Sequence, residues 1–103
     1  MRFPIKDFYF SNIMIQRLLK YLDRSTCNFL AVDTICRELD KAGFSRLNAA
    51  DKWALRPGDC RYVVKNGSAV FAFIVGDEDP ASAGFRIISA HSDSPCFKIK
   101  PNA

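Results

Sequence analysis

Two residues near the end of the chain have types and spacing that suit metal chemistry: His91, which is the only histidine, and Asp93. Along an extended backbone, side chains at positions i and i+2 point to the same face, so the imidazole and the carboxylate should project together. A neutral imidazole is the commonest protein metal ligand, and a neighbouring carboxylate fixes its tautomer and ring orientation. The pair is therefore a candidate metal ligand with an orienting partner.

The position of the pair in the chain adds to this interpretation. The preceding segment, Phe85–Ala90, is rich in apolar residues and is predicted to be a strand that ends at His91. Open α/β sheets place their ligands just past the carboxyl ends of such strands. From the residues alone, a single histidine in this place is more often a surface or hydrogen-bonded residue. Asp93 is equally well explained as a solvated or helix-capping carboxylate.

Three neighbouring side chains are weaker candidates for chemistry. Cys96 offers a thiolate ligand, but cysteine is commonly a small, buried apolar residue. Ser92 and Ser94 carry hydroxyls, but a serine nucleophile needs a base, and the chain has no second histidine to act as one. The pattern favours the imidazole over these groups.

A first helix is predicted before this region. Ser11 or Asn12 can cap it, and it should run to about Arg24, with an apolar stripe that includes Leu18 and Leu22. Residues 1–10 are rich in aromatic side chains and are expected to be irregular or loosely docked.

The second predicted helix is the clearest element of the chain. Asn28 suits its N-cap, and apolar residues then repeat at helical spacing. Gly43 suits the left-handed C′ position, and Phe44 at C″ should contact the last apolar turn, as in a Schellman ending. Residues 47–55 are predicted to contain one short helical turn, with Trp53 packing inward.

From position 60 the hydrophobic period becomes that of strands. Residues 60–65 and 68–75 are predicted strands, and Asn66-Gly67 between them is a strong signal for a type I′ hairpin turn. The second strand is apolar at every position from 70 to 75, which favours a central strand covered on both faces over an edge strand. The remaining predicted elements are an exposed acidic loop over 76–84 and a further strand over 97–100.

Two helices followed by a mixed sheet predict an α/β fold. The two helices can cover one face of such a sheet but hardly two. Residues 1–103 are therefore expected to be the opening section of a larger domain.

The composition excludes several classes of protein. The chain is 49% hydrophobic with a net charge of +4, but its Lys and Arg residues are scattered, which disfavours nucleic-acid binding. The longest apolar run, Ala69–Val75, is far shorter than the ~20 residues that span a bilayer. Four cysteines without Cys-x-x-Cys spacing are typical of free thiols in a reducing compartment. We expect a cytoplasmic protein that binds neither nucleic acid nor membranes.

The segment Ala90–Cys96, followed by Lys98–Pro101, resembles the Ala-His-Thr-Asp-Ser-Pro-Cys and Lys-Pro motifs of the M18 family of zinc aminopeptidases, the aspartyl aminopeptidases. Ser92 stands where threonine is usual, which keeps the hydroxyl. Asn28–Ala31 stands where members commonly carry Pro-Phe-His-Ala, so a second histidine is missing. The similarity covers nearly the whole chain, because the segments 39–55, 61–68 and 84–87 also resemble sequences of that family.

The resemblance implies a zinc-peptidase catalytic domain of the phosphorylase/hydrolase-like class, with residues 1–103 as its N-terminal segment. It implies two zinc ions per site, other divalent metals being possible, in an oligomeric enzyme that removes N-terminal residues from peptides, acidic ones in part of the family. It gives His91 the role of zinc ligand, and Asp93 that of the catalytic carboxylate that orients the ring. The remaining ligands and the general base are then expected outside these residues.

A second hypothesis belongs to a different class: a non-catalytic chain that keeps the fold as a structural or interaction module. A second histidine and a Glu-Glu pair in sequence beyond Ala103 would decide for the enzyme. A basic nucleic-acid module would need a clustered positive face, which the spacing of Lys and Arg does not support.

Overall fold

The computed structural model describes the backbone of residues 5–95, 97 and 99–102, and the side chains of the first helix from Ser11 onward. The chain opens with two helices, α1 (Ile5–Arg24) and α2 (Asn28–Lys41). A three-stranded sheet and a short helix follow: β1 (Ser45–Leu47), β2 (Cys60–Lys65), β3 (Ala69–Ile74) and α3 (Pro80–Ala83). β2 lies in the centre, parallel to β1 and antiparallel to β3, so the sheet is mixed and the predicted α/β class is confirmed.

Helix α1 begins earlier than predicted. Residues 5–10 are helical rather than irregular, while residues 1–4 lie outside the described residues. The segment 5–10 contains neither Gly nor Pro, and extending a helix costs less than nucleating one. The predicted stripe is largely open to solvent, since Leu18 is 56% exposed and Leu22 is 53% exposed. Among the described helices, none combines the length and apolar character needed to cross a membrane.

Helix α2 confirms both of its predicted ends to within one residue. The N-cap is Cys27, whose carbonyl accepts from the Ala31 N–H at 2.9 Å, and Asn28 is the first helical residue. At the other end, Gly43 has φ +91° and donates to the Asp40 carbonyl at 3.1 Å. The Phe44 N–H reaches the Leu39 carbonyl at 3.0 Å, and these two bonds together form a Schellman ending.

The predicted helical turn within residues 47–55 is absent from the structure. Residues 45–47 instead form β1, and a single turn follows. The Asn48 side chain accepts from the Ala50 N–H and the Asn48 carbonyl accepts from the Asp51 N–H, both at 3.1 Å, and the turn does not continue as a helix. Trp53 is 39% exposed rather than fully inward; its ring stacks on Phe73 at 6.1 Å and its Nε1–H donates to the Asn48 carbonyl at 2.9 Å.

The predicted β2–β3 hairpin is confirmed. Asn66 and Gly67 both have positive φ, +55° and +67°, as a type I′ turn requires. The Ser68 N–H closes the turn on the Lys65 carbonyl at 3.2 Å. The backbone twist of this turn matches that of the strands, which explains why the Asn-Gly signal was reliable.

Strand β3 is not the central, doubly covered strand that its apolar sequence predicts. It is an edge strand of the described sheet, with Phe71 58% exposed and Ile74 65% exposed. Tyr62 and its cross-strand partner Ala72 point to the same face, which is the face of α2, because Tyr62 bonds to Asp40 of that helix. The opposite face carries Phe71 and Phe73, whose rings lie 5.6 Å apart.

The interior of the structure is small and lies between α2 and β2. Tyr62 is only 3% exposed, and it is joined by Ala31 and Val32 of the helix, each 2% exposed. The Tyr62 hydroxyl donates to Asp40 Oδ1 at 2.8 Å, which ties the centre of the sheet to the last turn of α2. This hydrogen bond, together with burial, raises the pKa of Tyr62 to about 12.

Tyr62→Phe should lower the free energy of unfolding by about 1 kcal/mol, the net worth of a typical hydrogen bond. The pKa of Tyr62 is about 12 in the folded state, whereas an unfolded tyrosine has a pKa of ~10. The hydrogen bond therefore contributes its full stabilisation below pH ~10, and this stabilisation is lost as the pH rises from ~10 to about 12. The wild-type and Tyr62→Phe curves of stability against pH should therefore converge between these values in urea titrations. Tyr21→Phe is the control, and equal losses in both variants would contradict the assignment.

The predicted strand over Phe85–Ala90 is also wrong for this structure, where the segment has no regular secondary structure. Its apolar side chains are exposed to solvent, and Ile88 is 100% exposed. A strand sequence becomes a strand only by pairing, and none of the described strands is paired with this segment. Residues 97, 99 and 100 of the other predicted strand are likewise irregular, and Lys98 lies outside the described residues.

Candidate metal centre

The His91 and Asp93 side chains lie together, as their spacing predicts. His91 Nδ1 is 3.1 Å from Asp93 Oδ1 and 2.8 Å from the Asp93 carbonyl oxygen. Both contacts come from one residue, two positions further along the chain. The local chain geometry therefore suffices to hold the ring.

This arrangement fixes the tautomer of the imidazole. An ionised carboxylate and a backbone carbonyl are acceptors only, so Nδ1 must carry the proton that both receive. In the neutral ring of His91 the lone pair is then on Nε2, which is the atom left to bind a metal. A carboxylate that holds a histidine in this way raises its basicity as a ligand.

The pair is open to solvent. The His91 side chain is 83% exposed and that of Asp93 is 77% exposed. Within the described residues, no group of three or more His, Cys, Asp or Glu side chains is placed to hold a metal ion. Zinc in proteins takes three or four protein ligands, so these residues supply part of a site.

The structure does not place the pair at the end of a strand. It lies instead on the irregular segment after α3, and the adjacent residue is what links it to the sheet. The Ser92 hydroxyl donates to the Ser68 carbonyl at 3.1 Å, beside the hairpin turn. The two serines are 24 positions apart, and no local sequence pattern predicts such a contact.

The three cysteines that the structure describes do not add to the candidate site. Cys27, Cys36 and Cys60 are free thiols, as predicted. Burial raises the pKa of the Cys36 thiol, which disfavours the thiolate that metal binding or nucleophilic attack requires. The weaker candidate ligand Cys96 lies outside the described residues.

A concave region lies between the two helices, and its lining does not include His91 or Asp93. Its lining includes Arg17 and Glu38, whose charged groups are 4.0 Å apart, and Tyr21. The lining contains neither histidine nor cysteine. Its chemistry does not suit zinc, and His91 stays the candidate ligand.

Comparison with known proteins places the chain in a family. Residues 21–103 match the model of the family described as aminopeptidase I zinc metalloprotease (M18). The chain is 48% identical over 85 residues to a probable M18 family aminopeptidase 2 of Clostridium novyi, and 39% identical over 87 residues to the protein of that name in Pseudomonas paraeruginosa. The matches cover 82% and 84% of this chain, but the chain spans only about a fifth, 20%, of each of these relatives.

A solved structure agrees with the sequence comparisons. The structure of Chaetomium thermophilum mApe1 matches 59% of this chain and 14% of its own with a TM-score of 0.57 and 36% sequence identity. The family match therefore rests on sequence over most of the chain and on backbone geometry over more than half of it. The chain belongs to the M18 family of aminopeptidase I zinc metalloproteases.

Proposed function

We propose that the full-length protein is a zinc aminopeptidase that hydrolyses N-terminal residues from peptides. The observation that carries the proposal is the His91–Asp93 contact, in which Nδ1 is engaged and Nε2 is left to bind a metal. Family membership supplies the reaction class. When bound, zinc would polarise the scissile carbonyl and lower the pKa of a water ligand.

The residues of this chain have two roles in that reaction. His91 would hold one zinc through Nε2, and Asp93 would orient the ring through its contacts with Nδ1. Neither acts as the general base, since Nδ1 of His91 and the Asp93 carboxylate are committed to each other. The base and the remaining ligands belong to other segments of the full-length protein, where a second zinc completes a cocatalytic site.

We further propose that residues 1–103 are the first segment of a larger catalytic domain, in an oligomeric and cytoplasmic enzyme. The accessible surface of the chain is 9563 Å², whereas a compact folded monomer of 11.6 kDa exposes about 5,800 Å². The radius of gyration is 17.8 Å, against about 13 Å for a compact domain of this length. Both values exceed those of a compact domain, as is expected for a segment that packs against the rest of a larger domain.

A direct comparison of activities tests the function. The full-length protein should release N-terminal residues from peptides, lose this activity to a chelator and regain it with zinc. The 103-residue chain should be inactive under the same conditions, because one histidine cannot retain zinc. Free amino acid released from a panel of peptides with acidic and neutral N-termini, measured by chromatography, also decides the preferred residue.

Two outcomes would count against the proposal. Zinc-dependent hydrolysis by the 103-residue chain alone would mean that the site is complete within it. A full-length protein that binds no zinc and cleaves no peptide would favour the non-catalytic module instead.

A further inference from the structure

The residue between the two members of the candidate site points the other way. His91 and Asp93 contact each other, so their side chains lie together on this irregular segment. His91 and Asp93 are exposed, whereas Ser92 is half-buried and its hydroxyl donates to the Ser68 carbonyl at 3.1 Å. The middle residue thus faces the sheet while its neighbours face solvent.

This hydrogen bond links two otherwise separate parts of the structure. Among the hydrogen bonds between described residues, it is the one that joins the segment 85–95 to the rest of the protein. The other bonds of that segment are the two between His91 and Asp93. The segment has no strand pairing that would hold it otherwise.

The acceptor belongs to a well-fixed turn. Ser68 closes the hairpin turn on Lys65, and Asn66 and Gly67 hold the left-handed geometry of that turn. On its other side the turn meets α2, since a Cβ built on Gly67 would lie 3.5 Å from Cδ1 of Phe29. The Ser68 carbonyl thus belongs to a turn that is closed by a hydrogen bond and that adjoins α2 at Gly67.

We infer that Ser92 is a positioning residue: its hydroxyl anchors the His91–Asp93 pair to the β2–β3 hairpin turn. The anchor is independent of any metal, and only its consequence for zinc rests on the proposed function. With the anchor in place, Nε2 of His91 has a defined position relative to the sheet. Without it, the pair keeps its internal contact but moves with a loose segment.

Three variants separate the hydroxyl from other effects. Ser92→Ala removes the donor, Ser92→Thr restores it, and Ser68→Ala leaves the bond intact because Ser68 accepts through its backbone carbonyl. The mobility of residues 87–93 can be measured in the 103-residue chain by heteronuclear ¹⁵N relaxation. A second readout is the rate of tryptic cleavage after Arg86, measured at a chain concentration low enough to limit association.

Ser92→Ala should raise the cleavage rate after Arg86 about five-fold, the change in open population that a typical hydrogen bond controls. The order parameters of residues 87–93 should fall in the same variant. Ser92→Thr and Ser68→Ala should match the wild type in both readouts. Equal behaviour of Ser92→Ala and the wild type, or a loss in Ser68→Ala as large as in Ser92→Ala, would overturn the anchor.

The consequence for zinc is measured in the full-length protein. Ser92→Ala should weaken zinc binding about five-fold, and Ser92→Thr should restore it. If the relaxation and cleavage data support the anchor but the full-length protein binds no zinc, the proposed function fails and the anchor stands. If zinc binds equally in all variants while the segment loosens, the anchor has no positioning role.

Discussion

His91→Ala in the full-length protein should abolish aminopeptidase activity and lower the zinc content of the purified enzyme. A catalytic zinc site has about three protein ligands, so losing one imidazole removes a large part of the binding free energy. The local structure should survive, because the His91 side chain is 83% exposed and supports no core contact. Activity on peptides and metal content by mass spectrometry measure the two effects together.

Asp93→Asn should act more mildly. It keeps the size of the side chain but removes the negative charge that holds Nδ1 of His91 at 3.1 Å, and the loss of such a partner typically costs about 10–100-fold in metal affinity or activity. Asp77→Asn, at an exposed position of the acidic loop, is the matched control and should behave as the wild type. Normal zinc content and turnover in His91→Ala would show that the ligand assignment is wrong.

The elements that sequence predicted well are those fixed by local signals. The Schellman ending of α2 depends on one glycine, Gly43, and on the residues within a turn of it. The hairpin depends on Asn66-Gly67, whose positive φ values suit few other residues. The contact between His91 and Asp93 joins residues only two positions apart. None of these three features depends on residues that are far away in the sequence.

The elements that sequence mispredicted depend on distant partners. Residues 45–47 become β1 only because they pair with 61–63 of β2, and the three-residue segment carries no strand signal of its own. Phe85–Ala90 carries the strand signal but has no paired strand in the structure. The Ser92–Ser68 contact joins residues 24 positions apart. Pairing between distant segments is a property of the whole fold, which a local pattern does not encode.

The 103-residue chain should self-associate in solution and bind an apolar dye such as anilinonaphthalene sulfonate. The open face of the sheet carries Phe71 at 58% exposure, with Trp53 at 39% stacked on Phe73. Ile87 and Ile88 lie on the segment 85–90, which is not paired with the sheet, and their side chains are 76% and 100% exposed. Monomeric proteins rarely leave contiguous apolar patches of more than a few hundred Å² in water.

The energetic scale explains why association is expected. At ~25 cal/mol per Å², each ~100 Å² of apolar surface left in water forfeits ~2.5 kcal/mol. The chain exposes 9563 Å², far above the about 5,800 Å² of a compact monomer of its mass. A few hundred Å² of apolar surface left in water already forfeits as much as the ~5–15 kcal/mol that stabilises a typical domain. Contact between copies of the chain recovers part of it.

One pair of variants locates the surface that causes association. Phe71→Arg places a charge on the open face of the sheet and should lower both the sedimentation coefficient and the dye fluorescence. Ser82→Arg adds the same charge at an exposed position of the short helix α3 and should change neither. In the full-length enzyme, Phe71→Arg should instead destabilise the protein, since the proposed remainder of the domain covers this face. A compact, dye-free monomer of the wild-type 103-residue chain would mean that these residues close their own core, and the proposal of a larger catalytic domain would fail.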